Sequence, residues 1–260
     1  MTQLKIGVFG LWRGGSFLPI INSLDNATVH AICDKDEGKV AEALKVCPDA
    51  IVCPDFDALL DSGIDAVLLC NYFHQHAAYA IRAMKRGIHV FSECTAGATM
   101  KECVELCECV EETGCKYMLA ENYPFSAALL EAKRLTDEGS FGRILYAEGE
   151  YNHPTARDDV WFLKTYRYNT EHWRSYLPAS YYITHSLGPI MRATGATPKR
   201  VTAFAIFAPC RVGAYNGDTI RKLAPLAPAL DRVLALEPDR RNFRKLSEYA
   251  ESLSETIKIK

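Results

Sequence analysis

Along the first 120 or so residues, short apolar runs alternate with stretches whose apolar positions recur at helical spacing. Leu4–Phe9 (LKIGVF) and residues 29–33, 51–53, 64–70 (IDAVLLC), 88–91 and 116–120 read as strands. Between them, residues 17–24, 37–44, 56–60, 77–86 and 99–113 read as helices, with Gly87 and Gly114 as stops for the last two. Runs that are apolar throughout, rather than alternating, belong to strands buried on both faces. Strands alternating with helices at this spacing predict a parallel sheet with helices on both sides.

The pattern changes near Asn122. Residues 126–138 predict a helix stopped by Gly139, and residues 144–151 alternate like an antiparallel strand with Tyr146 and Glu148 on one face. Residues 152–178 are polar, aromatic and irregular. Residues 182–194 read as a helix containing Pro189, and residues 200–207 as another strand. The expected class is α/β: a Rossmann-type doubly wound parallel sheet over residues 1–121, then a truncated α+β domain with a mainly antiparallel sheet over 122–209.

Composition narrows the classes. At 260 residues, with 48% hydrophobic and 24% charged residues, the chain is an ordinary globular one. A net charge of −2 gives no support to nucleic-acid or anionic-membrane binding. No apolar run approaches the roughly 20 residues needed to span a bilayer. A strand begins almost at once after MTQ, so no leader is expected, and the protein is read as cytoplasmic. The ten cysteines include no C-x-x-C pair. They read as reduced thiols in a cytoplasmic protein, and no metal site is expected from their spacing.

The chemistry begins in residues 4–34. A strand, a turn bearing Gly10, Gly14 and Gly15, a helical stretch and a second strand ending on Asp34 are the parts of a dinucleotide site. Backbone N–H groups at the turn suit a pyrophosphate, and the acid can accept from a ribose hydroxyl. Against G-x-G-x-x-G, Gly10 and Gly15 fit while Trp12 stands at the middle glycine's place. An ordinary strand-to-helix turn would also carry these glycines. Ligands of open α/β sheets bind outside the carboxyl ends of the strands. That singles out residues 10–15, Asp34, residues 71–74, residues 93–95 and residues 121–123.

These pieces resemble the Gfo/Idh/MocA family of nicotinamide-dependent oxidoreductases over about residues 3–209. The marks are KIGVFGLWRGG, AICD, NYFHQHAAYAIRAMKRGIHVFSE, LAENYPF, GSFGRILYAEGEY and THSLGPIMRATG, in that order. The resemblance implies an N-terminal Rossmann domain, a C-terminal α+β domain whose open sheet often makes oligomers, and oxidation or reduction of a carbinol carbon of a sugar or cyclitol. It places cofactor contacts at Gly10, Trp12, Arg13, Asp34, Asn71, His74, Glu93 and Asn122, to which the glycine pattern adds Gly15. Asp34 favours NAD, because a carboxylate repels the 2′-phosphate of NADP, while Lys35 leaves room for NADP.

The family's Glu-Lys-Pro motif falls on Glu93-Cys94-Thr95, so Cys94 takes the place of the lysine that polarises the substrate oxygen. The late Asp-x-x-x-His pair falls on Tyr181 and His185. His185 is implied as the proton-transfer group, as imidazole exchanges protons near neutral pH. Tyr181 offers a phenol in place of the carboxylate. Tyr123, His153, Arg174 and Tyr182 are implied as contacts to the hydroxyls of a small polyhydroxylated substrate. A homo-oligomer is also implied, with its sheet left partly uncovered by the truncation.

From about Cys210 the chain resembles instead the opening of an FkbM-type methyltransferase: VGAYNGDT for the first S-adenosylmethionine loop, then LEPD for the second strand. The remaining length is too short for a domain of that kind, so methyl transfer is not expected. Three readings stay open at this point. One is an NAD(P)-dependent oxidoreductase of a sugar, cyclitol or similar polyol. Another is a relative that keeps the cofactor pocket for binding or sensing without turnover. The third is a non-functional truncated fusion.

Overall fold

The structure, a computed structural model, describes residues 3–151 and 182–202, all within one compact unit. The tail expectation for residues 210–260 lies outside the described residues.

Six strands form one sheet: β1 (Leu4–Phe9), β2 (Ala27–Cys33), β3 (Ile51–Val52), β4 (Ala66–Leu69), β5 (His89–Ser92) and β6 (Tyr117–Leu119). All pairings are parallel and the order is β3-β2-β1-β4-β5-β6. This is the doubly wound order, with its switch point between β1 and β4. Two apolar clusters cover the two faces. Along β4, Val67 and Leu69 face one cluster, while Leu68 and the following Cys70 face the other. A strand packed on both sides has no polar face, which is why these segments read as unbroken apolar runs.

The helices are α1 (Leu11–Gly14), α2 (Leu18–Asn22), α3 (Glu37–Val46), α4 (Phe56–Asp61), α5 (His76–Met84), α6 (Met100–Thr113), α7 (Ala127–Asp137) and α8 (Thr184–Thr194). Asp36 and Asp55 cap α3 and α4 by accepting from Lys39 and Ala58 N–H. At α6, the Thr99 hydroxyl accepts from Glu102 N–H, and the Glu102 carboxylate accepts from Thr99 N–H. Gly114 ends the helix in the left-handed region at φ 67°.

The helix expected over residues 17–24 is α2, Leu18–Asn22, and a separate short helix, α1, occupies the glycine-bearing turn before it. Pro19 lacks an N–H and its ring collides with the carbonyl four residues back, so an unbroken helix cannot pass through it. It sits instead in the first turn of α2, where the missing donor costs nothing. Residues 144–151 form no strand. Their alternation suits one face of a sheet, but a strand needs a partner, and none lies beside them among the described residues. Of the strand expected over 200–207, residues 200–202 are also outside any strand, and the rest fall beyond the described residues.

The tightest constraint lies at the switch point. Gly10 has φ +92°, and a Cβ there would stand 2.5 Å from the Cys70 carbonyl oxygen and 2.7 Å from the Asn71 nitrogen. The ends of β1 and β4 therefore approach closely only because residue 10 lacks a side chain. Gly10→Ala is expected to cost about 2 kcal/mol or more, read as a lower urea midpoint at unchanged slope.

Candidate functional site

The carboxyl ends of the strands gather the predicted residues. Asp34 closes β2. Its Oδ2 accepts from Leu11 N–H at 2.5 Å and its Oδ1 from Asp36 N–H at 2.9 Å. The carboxylate is thus fixed against the turn that follows β1, with lone pairs remaining on both oxygens. Arg13, on α1, pairs through Nε with Glu93 Oε1 at 2.5 Å, joining the turn after β1 to the loop after β5. Trp12 projects beside it and is largely exposed. Gly14 packs against Val8, where a Cβ would come to 2.7 Å.

Asn71, just past β4, is the informative residue of this half. Both its side-chain oxygen and nitrogen are buried, and among the described residues neither has a hydrogen-bond partner. A buried amide with unsatisfied donor and acceptor is costly, and at a switch point it fits a ligand's polar group. His74 follows in a single 3₁₀ turn, Phe73–Gln75, its ring stacked on Tyr72 at 6.3 Å. Asn122 and Arg13 line a groove of about 480 Å³ together with Phe17, Phe91 and Glu121. Gly10, Asp34, Asn71, Glu93 and Asn122 thus lie along one rim, with donors and acceptors suited to a dinucleotide.

The second half centres on His185, in the first turn of α8. Its Nδ1 lies 2.7 Å and 2.8 Å from the two oxygens of Glu121. Tyr123 stacks on the imidazole at 4.4 Å and 19°. Tyr151 meets it edge-on at 4.6 Å, and Tyr182 is tilted at 5.3 Å. A neutral ring that donates Nδ1–H to a carboxylate carries its lone pair on Nε2, the arrangement of a general base with an orienting acid.

Glu121 is 8% exposed. Burial pushes its carboxyl up, but the Thr184 hydroxyl, Tyr123 N–H, His185 and the Cys94 thiol together hold it below the ordinary value. The residue therefore stays charged inside the protein. Cys94, also buried, donates its thiol to Glu121 Oε2 at 3.3 Å. Burial first, then the Glu121 charge, push that thiol up to about 12. Cys94 stands here as a protonated donor.

Sequence reasoning placed Glu121 at a strand tip but gave it no role. Its partner lies 64 residues away on a separate helix. The available signal was its position as an acid at the end of β6, directly before Asn122 and Tyr123. The carboxylate beside His185 thus comes from the sheet. Sequence reasoning also missed His76, which is 2% exposed. Its Nδ1 lies 3.0 Å from the Thr95 carbonyl and its Nε2 3.2 Å from the Asn71 carbonyl, so the neutral ring sits between the loops after β4 and β5 and donates to one of them. His153, Arg174 and Tyr181 lie outside the described residues.

Residues 4–121 match the family GFO_IDH_MocA, described as an oxidoreductase family with an NAD-binding Rossmann fold. Among curated proteins, a glycosyl hydrolase family 109 protein of Saccharopolyspora erythraea is 30% identical over 200 residues, 72% of this chain and 43% of the relative. One of the same name from Shewanella amazonensis is 28% identical over 205 residues, 73% of this chain and 44% of the relative. The matched stretch spans less than half the length of these relatives. Among solved structures, scyllo-inositol dehydrogenase of Lactobacillus casei, determined with NAD(H) and scyllo-inositol, is 26% identical with a TM-score of 0.52. The match covers 55% of this chain and 43% of that one. Among the described residues no helix is long and apolar enough to cross a membrane.

Two measurements probe this geometry. Burial holds the His76 ring below its ordinary value, against the pull of its carbonyl partners. The unfolded chain then takes up the proton first, and stability falls as pH drops through the ordinary histidine range near about 6.5. The thermal midpoint is expected to decline from about pH 7 to about pH 5, with much of that slope absent in His76→Gln. Glu121 acts in a lower window, since its contribution is lost only as pH falls below the ordinary carboxyl range of about 4.

For Cys94, a thiol titrating near 12 is ionised in about one molecule in ten thousand at about pH 8. Peptide-resolved alkylation of metal-free protein is expected to modify the exposed Cys107 while leaving Cys94 largely unlabelled. Glu121→Gln, which removes the charge but not the burial, should raise Cys94 labelling severalfold.

Proposed function

We propose that the chain is part of an NAD-dependent oxidoreductase acting on a carbinol carbon of a sugar, cyclitol or similar polyol. The observation that carries this reading is the buried Glu121–His185 pair at the rim of an NAD-binding sheet. NAD, when bound, accepts or returns a hydride. Gly10, Asp34, Asn71, Glu93 and Asn122 would hold it, with Arg13 and Trp12 beside the pyrophosphate turn. The unsatisfied Asn71 amide supports the fit. His185 takes the hydroxyl proton at Nε2, and Glu121 fixes the ring and balances the charge it gains. The phenols of Tyr123 and Tyr182, and of Tyr181, would contact substrate hydroxyls with His153 and Arg174. Asp34 favours NAD over NADP by its charge. The inositol substrate of the Lactobacillus casei neighbour makes cyclitols the first class to try.

The test has two parts on the purified chain. NADH fluorescence should rise on binding and be lost in Asp34→Arg. With NAD⁺ and a panel of cyclitols and sugars, nicotinamide absorbance should grow, and His185→Ala should lower kcat by about 10²–10⁴-fold with NADH binding retained. Absence of NADH binding overturns the cofactor assignment. Binding without turnover on the whole panel favours the reading of a pocket that binds but does not react. A second reading, glycoside cleavage, is favoured by the name shared by the curated relatives. It is tested by nitrophenol release from nitrophenyl glycosides that requires added NAD⁺.

A further inference from the structure

The Cys94, Glu121 and His185 side chains meet at one point. Sγ of Cys94, a carboxylate oxygen of Glu121 and a ring nitrogen of His185 all lie within 4.8 Å of one another. Two of the three residues are fully buried, and the His185 side chain is 11% exposed. They arrive from three places: the loop after β5, the end of β6 and the first turn of α8. We propose that these three side chains form a binding site for a zinc-class divalent cation, with a fourth position open to water or a ligand oxygen.

The donor chemistry selects the ion. Thiolate, imidazole and carboxylate together suit zinc, cobalt or a similar borderline-soft metal. Calcium and magnesium take oxygen ligands and would leave the sulfur and nitrogen unused. Spacing agrees as well. Zinc bonds of about 2.0–2.3 Å in tetrahedral geometry set donors about 3.3–3.8 Å apart. Cys94 Sγ and Glu121 Oε2 are already 3.3 Å apart. The 2.7 Å contact between Glu121 and His185 must open by about 1 Å, within reach of a small side-chain rotation.

The proton balance is simple. On binding, the Cys94 thiol releases one proton to solvent, while the neutral His185 ring shifts its proton from Nδ1 to Nε2. Two ligand charges then cancel the two charges of the ion, so the buried cluster becomes neutral overall. An outer contact is in place: Tyr123 N–H donates to Glu121 Oε1 at 3.1 Å. Three protein donors with one open position is the pattern of a reactive rather than a purely structural zinc site. With the ion bound, His185 Nε2 carries the proton and cannot act as the base proposed above, so the metal-bound state is an alternative to the hydride-transferring one and does not rest on it.

The experiment uses the whole chain with Co²⁺ as the spectroscopic probe. The metal-free protein is titrated with Co²⁺ and read for a thiolate-to-cobalt charge-transfer band and for intense tetrahedral d–d bands. Saturation at one equivalent is expected. The bands should be lost in Cys94→Ser, shifted and weakened in Glu121→Gln, and unchanged in Cys107→Ser. His185→Gln provides a second route should Cys94→Ser fail to fold, as judged by circular dichroism, and should cut the bands likewise. No charge-transfer band, or a band that persists in both Cys94→Ser and His185→Gln, overturns the site. NADH binding is measured on the same samples. Protein that binds NADH but gives no cobalt band defeats the metal site alone, and a cobalt band without NADH binding defeats only the cofactor assignment.

Discussion

One buried carboxylate organises the carboxyl end of this sheet. A charged group as enclosed as Glu121 is expensive unless its oxygens are fully used. Here they accept from the Cys94 thiol, the Tyr123 N–H and the His185 ring. Those donors belong to the loop after β5, the turn after β6 and the first turn of α8, so satisfying one side chain seats a helix on the sheet rim. The tautomer of His185, the protonation of Cys94 and the stacking of Tyr123 follow from that placement. Removing the charge releases all three at once, which makes Glu121 a positioning residue whose loss reaches beyond its own contacts.

The parallel sheet was legible because its physics is local. Strands buried on both faces are apolar throughout, and helices between them repeat at helical spacing, so residues 4–9, 37–46 and 100–113 could be bounded closely from sequence. The structure adds caps that fix the helix starts by short-range hydrogen bonds: Asp36, Asp55 and the Thr99–Glu102 box. The turn after β1 was legible in part. Gly10 was singled out for the nucleotide pattern, and the structure adds that it must be glycine for another reason, the close approach of Cys70 and Asn71. Apolar spacing over residues 17–24 marked α2, whose first turn accommodates Pro19, but not the short α1 within the turn before it.

What stayed hidden is what depends on tertiary contact. Nothing in the neighbourhood of Tyr181 and His185 announces that the carboxylate partner comes from position 121. His76 looked like one polar residue among several in HQHAAY, but its buried ring lies between the carbonyls of two loops. The alternation over residues 144–151 marks a segment suited to a sheet face, and pattern alone cannot supply the neighbouring strand. Asn71 shows the converse. Its place at a strand tip was readable, whereas the burial of its amide without a partner is a property of the folded chain.

The same geometry bears on the ten cysteines. Spacing along the chain argued against metal, because familiar zinc motifs bring their ligands in close pairs. That reasoning applies to ligands on one loop and is silent about ligands delivered by three elements to one point. Without an ion, the cluster is held by shared protons: a thiol and an imidazole each give one to Glu121, which retains its full charge. With a divalent ion, the thiol proton leaves, and the charge of the cluster falls from about minus one to about zero. The ligand bonds and the neutral net charge offset the cost of stripping water from the ion. The burial of Glu121 that makes its hydrogen bonds strong is therefore also what would favour a cation in their place.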